Sequence, residues 1–216
     1  MDIDIEKELS KIKSHIIDHA TLSAILTNLG YVSIKDKIDN LKKKEMIETL
    51  KKGLYVHKSR YTNNIVSKEM IANAMLAPSY VSSDYALYYY GIIPESVHDV
   101  LSVTFKRSKS FITTYGTFAY KKIKQELYPI GIRIESTNRG NFLIASKEKA
   151  LCDKIYFTNG IAISSKKLMF LFLEEDLRVD FEELDEFDIN IVIKYYNITK
   201  SKKIKLLKEC IEDLNL

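Results

Sequence analysis

The sequence is short of cysteine, proline and glycine. Two cysteines in 216 residues, Cys152 and Cys210, are too few for a disulfide scaffold and fit a reducing compartment. Three prolines and seven glycines exclude collagen-like repeats and Pro-rich linker architectures. Long apolar runs are missing too. The longest, residues 168–173, holds six residues, against the roughly 20 needed to cross a bilayer. The first residues are charged from Asp2 onward and contain no apolar h-region. No secretory leader and no membrane partner are therefore expected, and the expected location is the cytoplasm.

What is present suits a folded chain. Hydrophobic residues make up 46% and charged residues 29%, enough for a core and incompatible with wholesale disorder. At about 100–200 residues per domain, the length allows one or two domains. The formal charge is +4 and the pI about 8.8, a balance that permits nucleic-acid binding without requiring it. Residues 1–60 carry 12 basic and 9 acidic side chains, and residues 61–163 carry 12 and 8. Residues 164–216 reverse the balance at 9 and 12, with an acidic cluster between residues 174 and 188. That cluster reads as a solvated helix–loop face, or as a docking surface for a basic partner.

The first 60 residues have the order of a helix-turn-helix. Ile5, Leu9 and Ile12 share one helical face that continues towards Ile16. A second helix begins near Asp18, carries Leu22, Ile25, Leu26 and Leu29, and stops at Gly30. Ser33 is placed to cap a third helix over residues 34–44, with Ile34, Ile38 and Leu41 on its inner face. Residues 46–50 and 54–56 read as strands joined through Gly53, a hairpin that would serve as the wing of a winged helix.

In such a domain the third helix enters the major groove. Asp36, Asp39, Asn40 and Lys43 point most directly outward, flanked by Lys35 and Lys42, with Ser33 at the amino end. Asn pairs bidentately with adenine and Lys donates to guanine. Base recognition is therefore expected from Ser33, Lys35, Asn40 and Lys43, and phosphate contacts from Lys37, Lys51 and Lys52. The two outward acids would be repelled by phosphates unless they face bases or pair with lysines.

Residues 60–64 are polar and read as a linker into a second domain over 61–216. Helices are expected over 67–77, capped by Ser67, and over 84–90, capped by Ser82 or Ser83. Strands follow at 100–106, 112–122, 132–136 and 141–145. Helices come next at 147–157, 166–173, 189–196 and 200–214, so that 164–216 forms a helical C-terminal part. The expected class is α+β: an N-terminal winged helix-turn-helix, then a mixed α/β domain with a small, mainly antiparallel sheet and C-terminal helices.

No catalytic constellation stands out. His15 and His19 are four residues apart but lack a third ligand, so no metal site is assigned. Cys152 has no CxxC partner and suits an apolar helix face. The G-x-S-x-G, Walker A and G-x-G-x-x-G patterns are missing. A metal-dependent nuclease drawing on Asp84, Glu135 and Lys147 is the enzyme alternative. Tyr80, Tyr85, Tyr88, Tyr89 and Tyr90 form a tyrosine-rich stretch suited to core packing, base stacking or a partner interface.

Three stretches together resemble the AbiEi-type antitoxins of type IV (abortive-infection) toxin–antitoxin systems. They are KKGLYV at 51–56, SYVSSDYALYYYG at 79–91 and ASKEKALCDKIY at 145–156. The likeness covers roughly residues 5–160 and departs from the family where its wing carries Arg and this chain has Lys, which keeps charge without bidentate geometry. The resemblance implies a non-enzymatic autorepressor that binds inverted-repeat operator DNA upstream of its own operon and needs no cofactor. It further implies that the second domain counters a nucleotidyltransferase-like toxin without requiring a stable complex. Tyr88, Tyr89, Glu148, Lys149 and Asp153 are the candidate antitoxin surface. For Glu148 and Lys149 the preferred reading is a structural role at a helix start, complementing the helix dipole and pairing with the preceding loops, with the functional surface as its alternative. The rival reading of the whole chain is a ligand- or protein-responsive winged-helix regulator with no toxin.

Overall fold

The structure, a computed structural model, describes residues 2–58, 66–185 and 187–214. The expected linker at 60–64 lies outside them. Two compact units form. The first runs to Ala77 and takes in Ser136–Phe142, and the second comprises Pro78–Glu135 and the chain from Leu143 onward. The first unit thus extends past residue 60 to include the helix that follows the linker.

The first unit begins with α1 (Asp2–Ser10), β1 (Ile16–Asp18), α2 (His19–Asn28) and α3 (Ile34–Lys43). It continues with β2 (Ile47–Lys51), β3 (Leu54–His57) and α4 (Lys68–Met75). Asp18 caps α2 by accepting the Thr21 N–H at 2.8 Å. The other end of α2 closes in a Schellman motif: Gly30, at φ +85°, donates to the Thr27 carbonyl, and Tyr31 donates to that of Leu26. Ile38 and Leu41 of α3 are buried with Leu22, Leu26, Ile5, Leu9 and Tyr55 in one core. Ile34 packs at its margin, so the inward face expected of the third helix is the face observed.

Residues 16–18 are a strand rather than the end of the first helix. The expected helix stops at Ser10, and Ile16, Ile17 and Asp18 pair antiparallel with Val56, Tyr55 and Leu54. Apolar spacing continues through Ile12 and Ile16, but β3 supplies backbone partners that a continued helix would forgo. The sheet order is β1-β3-β2, with β3 central.

A histidine pair closes this sheet. The buried His57 donates its backbone N–H to the His15 carbonyl at 2.9 Å, and the two rings lie 4.5 Å apart. Desolvation holds both imidazoles below their ordinary pKa, His57 further depressed by His15 and His15 by Arg139. Since the folded values lie below the unfolded value near 6.5, the unfolded chain takes up protons first as pH falls. The first unit is expected to keep full stability above about pH 6.5 and lose it progressively below. Urea denaturation across pH 5–8 tests this, and His57→Phe should flatten the profile. A wild-type profile already flat across that range would refute the assignment.

The second unit contains β4 (Tyr80–Val81), α5 (Ser83–Tyr89), β5 (Val100–Thr104), β6 (Lys109–Thr113) and β7 (Gly116–Lys122). Next come β8 (Ile132–Thr137), β9 (Gly140–Ala145), whose turn belongs to the first unit, and α6 (Lys147–Phe157). The chain ends in α7 (Lys166–Leu171), a π-helical turn (Phe172–Asp176), α8 (Phe181–Asp185), α9 (Ile189–Thr199) and α10 (Lys202–Leu214). α6 packs against α5, α9 and α10.

The class is α+β as expected, but the second sheet is not small, and parallel pairs are mixed among its antiparallel ones. It has six strands in the order β6-β7-β5-β4-β9-β8. β4 pairs antiparallel with β5 and parallel with β9, while β5 pairs parallel with β7. Two strands escaped the sequence reading. The short β4 looks like the approach to α5, and the run 112–122 is a hairpin, β6 and β7, turning before Gly116. There the Thr113 hydroxyl accepts the Tyr115 N–H and donates to the Gly116 carbonyl, both at 3.1 Å. A Thr side chain making a turn has no signature in a hydrophobicity pattern.

Candidate functional site

α3 and the β2–β3 hairpin hold the residues expected to meet DNA. Ser33, Lys35, Asn40 and Lys43 are all exposed. Ser33 stands at the N-cap but bonds the Asp36 carboxylate instead of a backbone amide. Asp39 pairs with Lys42 at 3.1 Å. Both outward acids therefore have partners of their own, which lessens the repulsion they would offer a phosphate. Lys37 is half-buried with its ammonium 4.5 Å from the centre of the Tyr31 ring. The hairpin lysines part company: Lys51 donates to the Met75 carbonyl, whereas Lys52 is exposed beside Gly53, whose φ is +80°.

The candidate antitoxin surface divides. Tyr88 and Tyr89 are each 42% exposed. Glu148, Lys149 and Asp153 are not surface residues, being 4%, 0% and 0% exposed. The helix that carries them is largely buried, with Ala150, Leu151, Cys152 and Ile155 also inside. Burial raises the Cys152 thiol pKa, which suits a packing residue rather than a nucleophile.

Burial of these charges is compensated by a closed polar network in the second unit. Asp153 Oδ2 accepts from the Tyr80 hydroxyl at 2.9 Å and the Ser82 hydroxyl at 2.7 Å. Oδ1 accepts from the Tyr195 hydroxyl at 2.9 Å and faces Lys149 Nζ at 3.2 Å. Lys149 also donates to the Leu127 carbonyl at 3.0 Å and lies 4.5 Å from the centre of the Tyr195 ring. The carboxylate and ammonium are thus paired and multiply hydrogen-bonded, as a buried ion pair requires. Ser82 is the N-cap residue of α5, yet its hydroxyl serves Asp153 rather than the helix. The i,i+4 spacing of Lys149 and Asp153 is visible in the sequence. That both point inward, and that Tyr80 and Tyr195 converge on them, is not.

No family model matches the chain, and no curated protein does. Among solved structures, the crystal structure of the RV2827C protein from Mycobacterium tuberculosis is similar, with a TM-score of 0.58 at 11% identity. The match covers 99% of this chain and 80% of that one. At that identity the likeness is one of fold.

A different polar group gathers around the amino end of α6. Glu148 accepts the Asp188 N–H at 3.1 Å through Oε1. Glu148 also lines a cavity of about 220 Å³ with Tyr90, Arg133 and Lys147. Sequence reasoning missed Tyr90 and Arg133 as members of one site, because 43 residues of chain separate them. Of the three residues weighed for a nuclease, Lys147 lines this cavity and Asp84 lies elsewhere. Asp84 pairs with Lys154 at 2.6 Å in another depression, lined also by Glu95, His98 and Asp176. Among the described residues, no group of three or more His, Cys, Asp or Glu side chains could hold a metal ion. No described helix is long and apolar enough to cross a membrane.

Proposed function

We propose that this protein is a DNA-binding autorepressor and antitoxin of the AbiEi type, acting without catalysis of its own. In this reading the first unit is a winged helix that recognises inverted-repeat operator DNA. The second unit counters a nucleotidyltransferase-like toxin. The observation that carries the DNA-binding half is the outer face of α3. Lys35, Asn40 and Lys43 are exposed there, while Ile38 and Leu41 anchor the helix in the core. The order helix, strand, helix, helix and hairpin supports it, with β1 joining the hairpin as a third strand. Lys52 is the hairpin lysine open to a phosphate. The antitoxin half rests on the three resembling stretches, and Tyr88 and Tyr89 are its exposed aromatic residues.

The test is binding of the full chain to DNA upstream of its own gene and to random duplex across a salt series. Selective binding with a steep salt slope is the expected result. Lys52→Ala should weaken all DNA binding and flatten the log–log salt slope by about 1. Asn40→Ala should relax discrimination at one base pair by about 1–3 kcal/mol. Equal affinity for upstream and random DNA would overturn operator recognition. An equal loss on both duplexes in Asn40→Ala would remove that residue from base readout.

A further inference from the structure

The cavity at the amino end of α6 is built as a ligand site. The described residues that line it are all polar: Tyr90, Arg133, Lys147 and Glu148. Two buried atoms there lack a hydrogen-bond partner among the described residues, the Tyr90 hydroxyl and Glu148 Oε2. Glu148 is only 4% exposed. Buried polar atoms are rarely left unpaired, and the same Glu148 already satisfies Asp188 with its other oxygen. At about 220 Å³, the space is well above the roughly 10–15 Å³ that a single water needs. That is room for a small molecule rather than one bridging solvent.

The charges select among small molecules. Arg133 and Lys147 bring two cations. Glu148 opposes them from inside, and Glu135 lies near enough to raise the Tyr90 pKa. Burial is the larger cause of that rise, so the phenol stays protonated and available as a donor. A dianion would face two carboxylates, and a simple cation would face Arg133 and Lys147. A net-neutral molecule with separated charges meets both halves.

We propose that this cavity binds a free α-amino acid, its carboxylate held by the Arg133 guanidinium and its ammonium by Glu148 Oε2. Tyr90 supplies a further hydrogen bond to the carboxylate. The site lies wholly in the second unit and stands or falls independently of DNA binding.

The test uses the full-length protein, titrated with each standard amino acid at millimolar concentration by calorimetry and thermal shift. Acetate and inorganic phosphate serve as anion-only probes, and methylamine as a cation-only probe. At least one amino acid is expected to bind saturably and raise Tm, with the single-charge probes much weaker. Arg133→Ala, at an exposed side chain, should weaken that binding about ten- to hundredfold, the span expected for a charge-assisted hydrogen bond. Glu148→Gln should do likewise while leaving an oxygen to accept the Asp188 N–H. If Glu148→Gln does not fold, Arg133→Ala decides alone. No binding of any amino acid would overturn the proposal. So would binding unchanged in Arg133→Ala, or phosphate or acetate binding as tightly as the amino acid.

Discussion

Asp153→Ala is expected to destabilise the second unit by about 3–5 kcal/mol, the cost of leaving a buried charge without its partner. The substitution strands Lys149 Nζ, which is fully buried, and removes the acceptor of three hydroxyls at once, those of Tyr80, Ser82 and Tyr195. Typical domains are stable by only about 5–15 kcal/mol, so the variant should be close to unfolding at 37 °C. Lys149→Met should cost less. It removes the ammonium but leaves the carboxylate with its three hydroxyl donors, and the main new defect is the Leu127 carbonyl. Asp153→Asn should fall between wild type and Asp153→Ala, because it keeps an acceptor but loses the charge. Urea denaturation of the three variants measures the order. If Lys149→Met proved as damaging as Asp153→Ala, the carboxylate would not be the hub of the network. A loss under about 1 kcal/mol for Asp153→Ala would mean that the ion pair contributes no more than a surface one.

Gly131→Ala should cost about 2–5 kcal/mol, as the sum of two separable terms. Gly131 has φ +64°, a conformation that costs an L-residue roughly 1–2 kcal/mol. A Cβ there would also stand 2.9 Å from Lys149 Cβ and 3.1 Å from Ser146 Oγ, overpacking that costs about 1–3 kcal/mol. Lys149 Cβ is tied to the helix backbone and cannot swing aside. The residue matters because its carbonyl accepts the Ser146 N–H at 2.7 Å, just where Ser146 caps α6 by accepting the Lys149 N–H. Gly91→Ala isolates the first term: its φ is +75° and nothing lies within 4 Å of the added carbon. It should cost only about 1–2 kcal/mol. Equal losses in the two variants would show that the close approach of residue 131 to α6 carries no energetic weight.

The N-terminal half of the fold was largely readable from pattern. Gly30 stops α2 because only a residue at ease with positive φ forms that Schellman turn. Ser67 and Ser146 start helices, with hydroxyls accepting from the third residue onward. The α3 face Ile34/Ile38/Leu41 was legible because one apolar stripe on a polar helix admits one orientation. β1 was not legible, since a three-residue strand exists only through its partner β3. Neither was the mixed sheet: pairing partners are chosen across long stretches of chain, as where Val81 lies beside Ile144.

For the candidate sites the division is sharper. Composition and local spacing by themselves determine the α+β class, the Ser67 and Ser146 caps, the exposed polar face of α3 and the i,i+4 spacing of Lys149 and Asp153. Helix periodicity is a local property, and these features lie within a few residues of one another. Only the tertiary structure decided that Glu148, Lys149 and Asp153 face inward, because α6 packs against α5, α9 and α10 and buries seven of its residues, these three polar ones among them. It also decided that Tyr80 and Tyr195 spend their hydroxyls on one carboxylate, and that Tyr90 and Arg133 reach the same cavity. Hydrogen bonds and cavities form between side chains far apart in the chain, and no one-dimensional period records where distant segments meet.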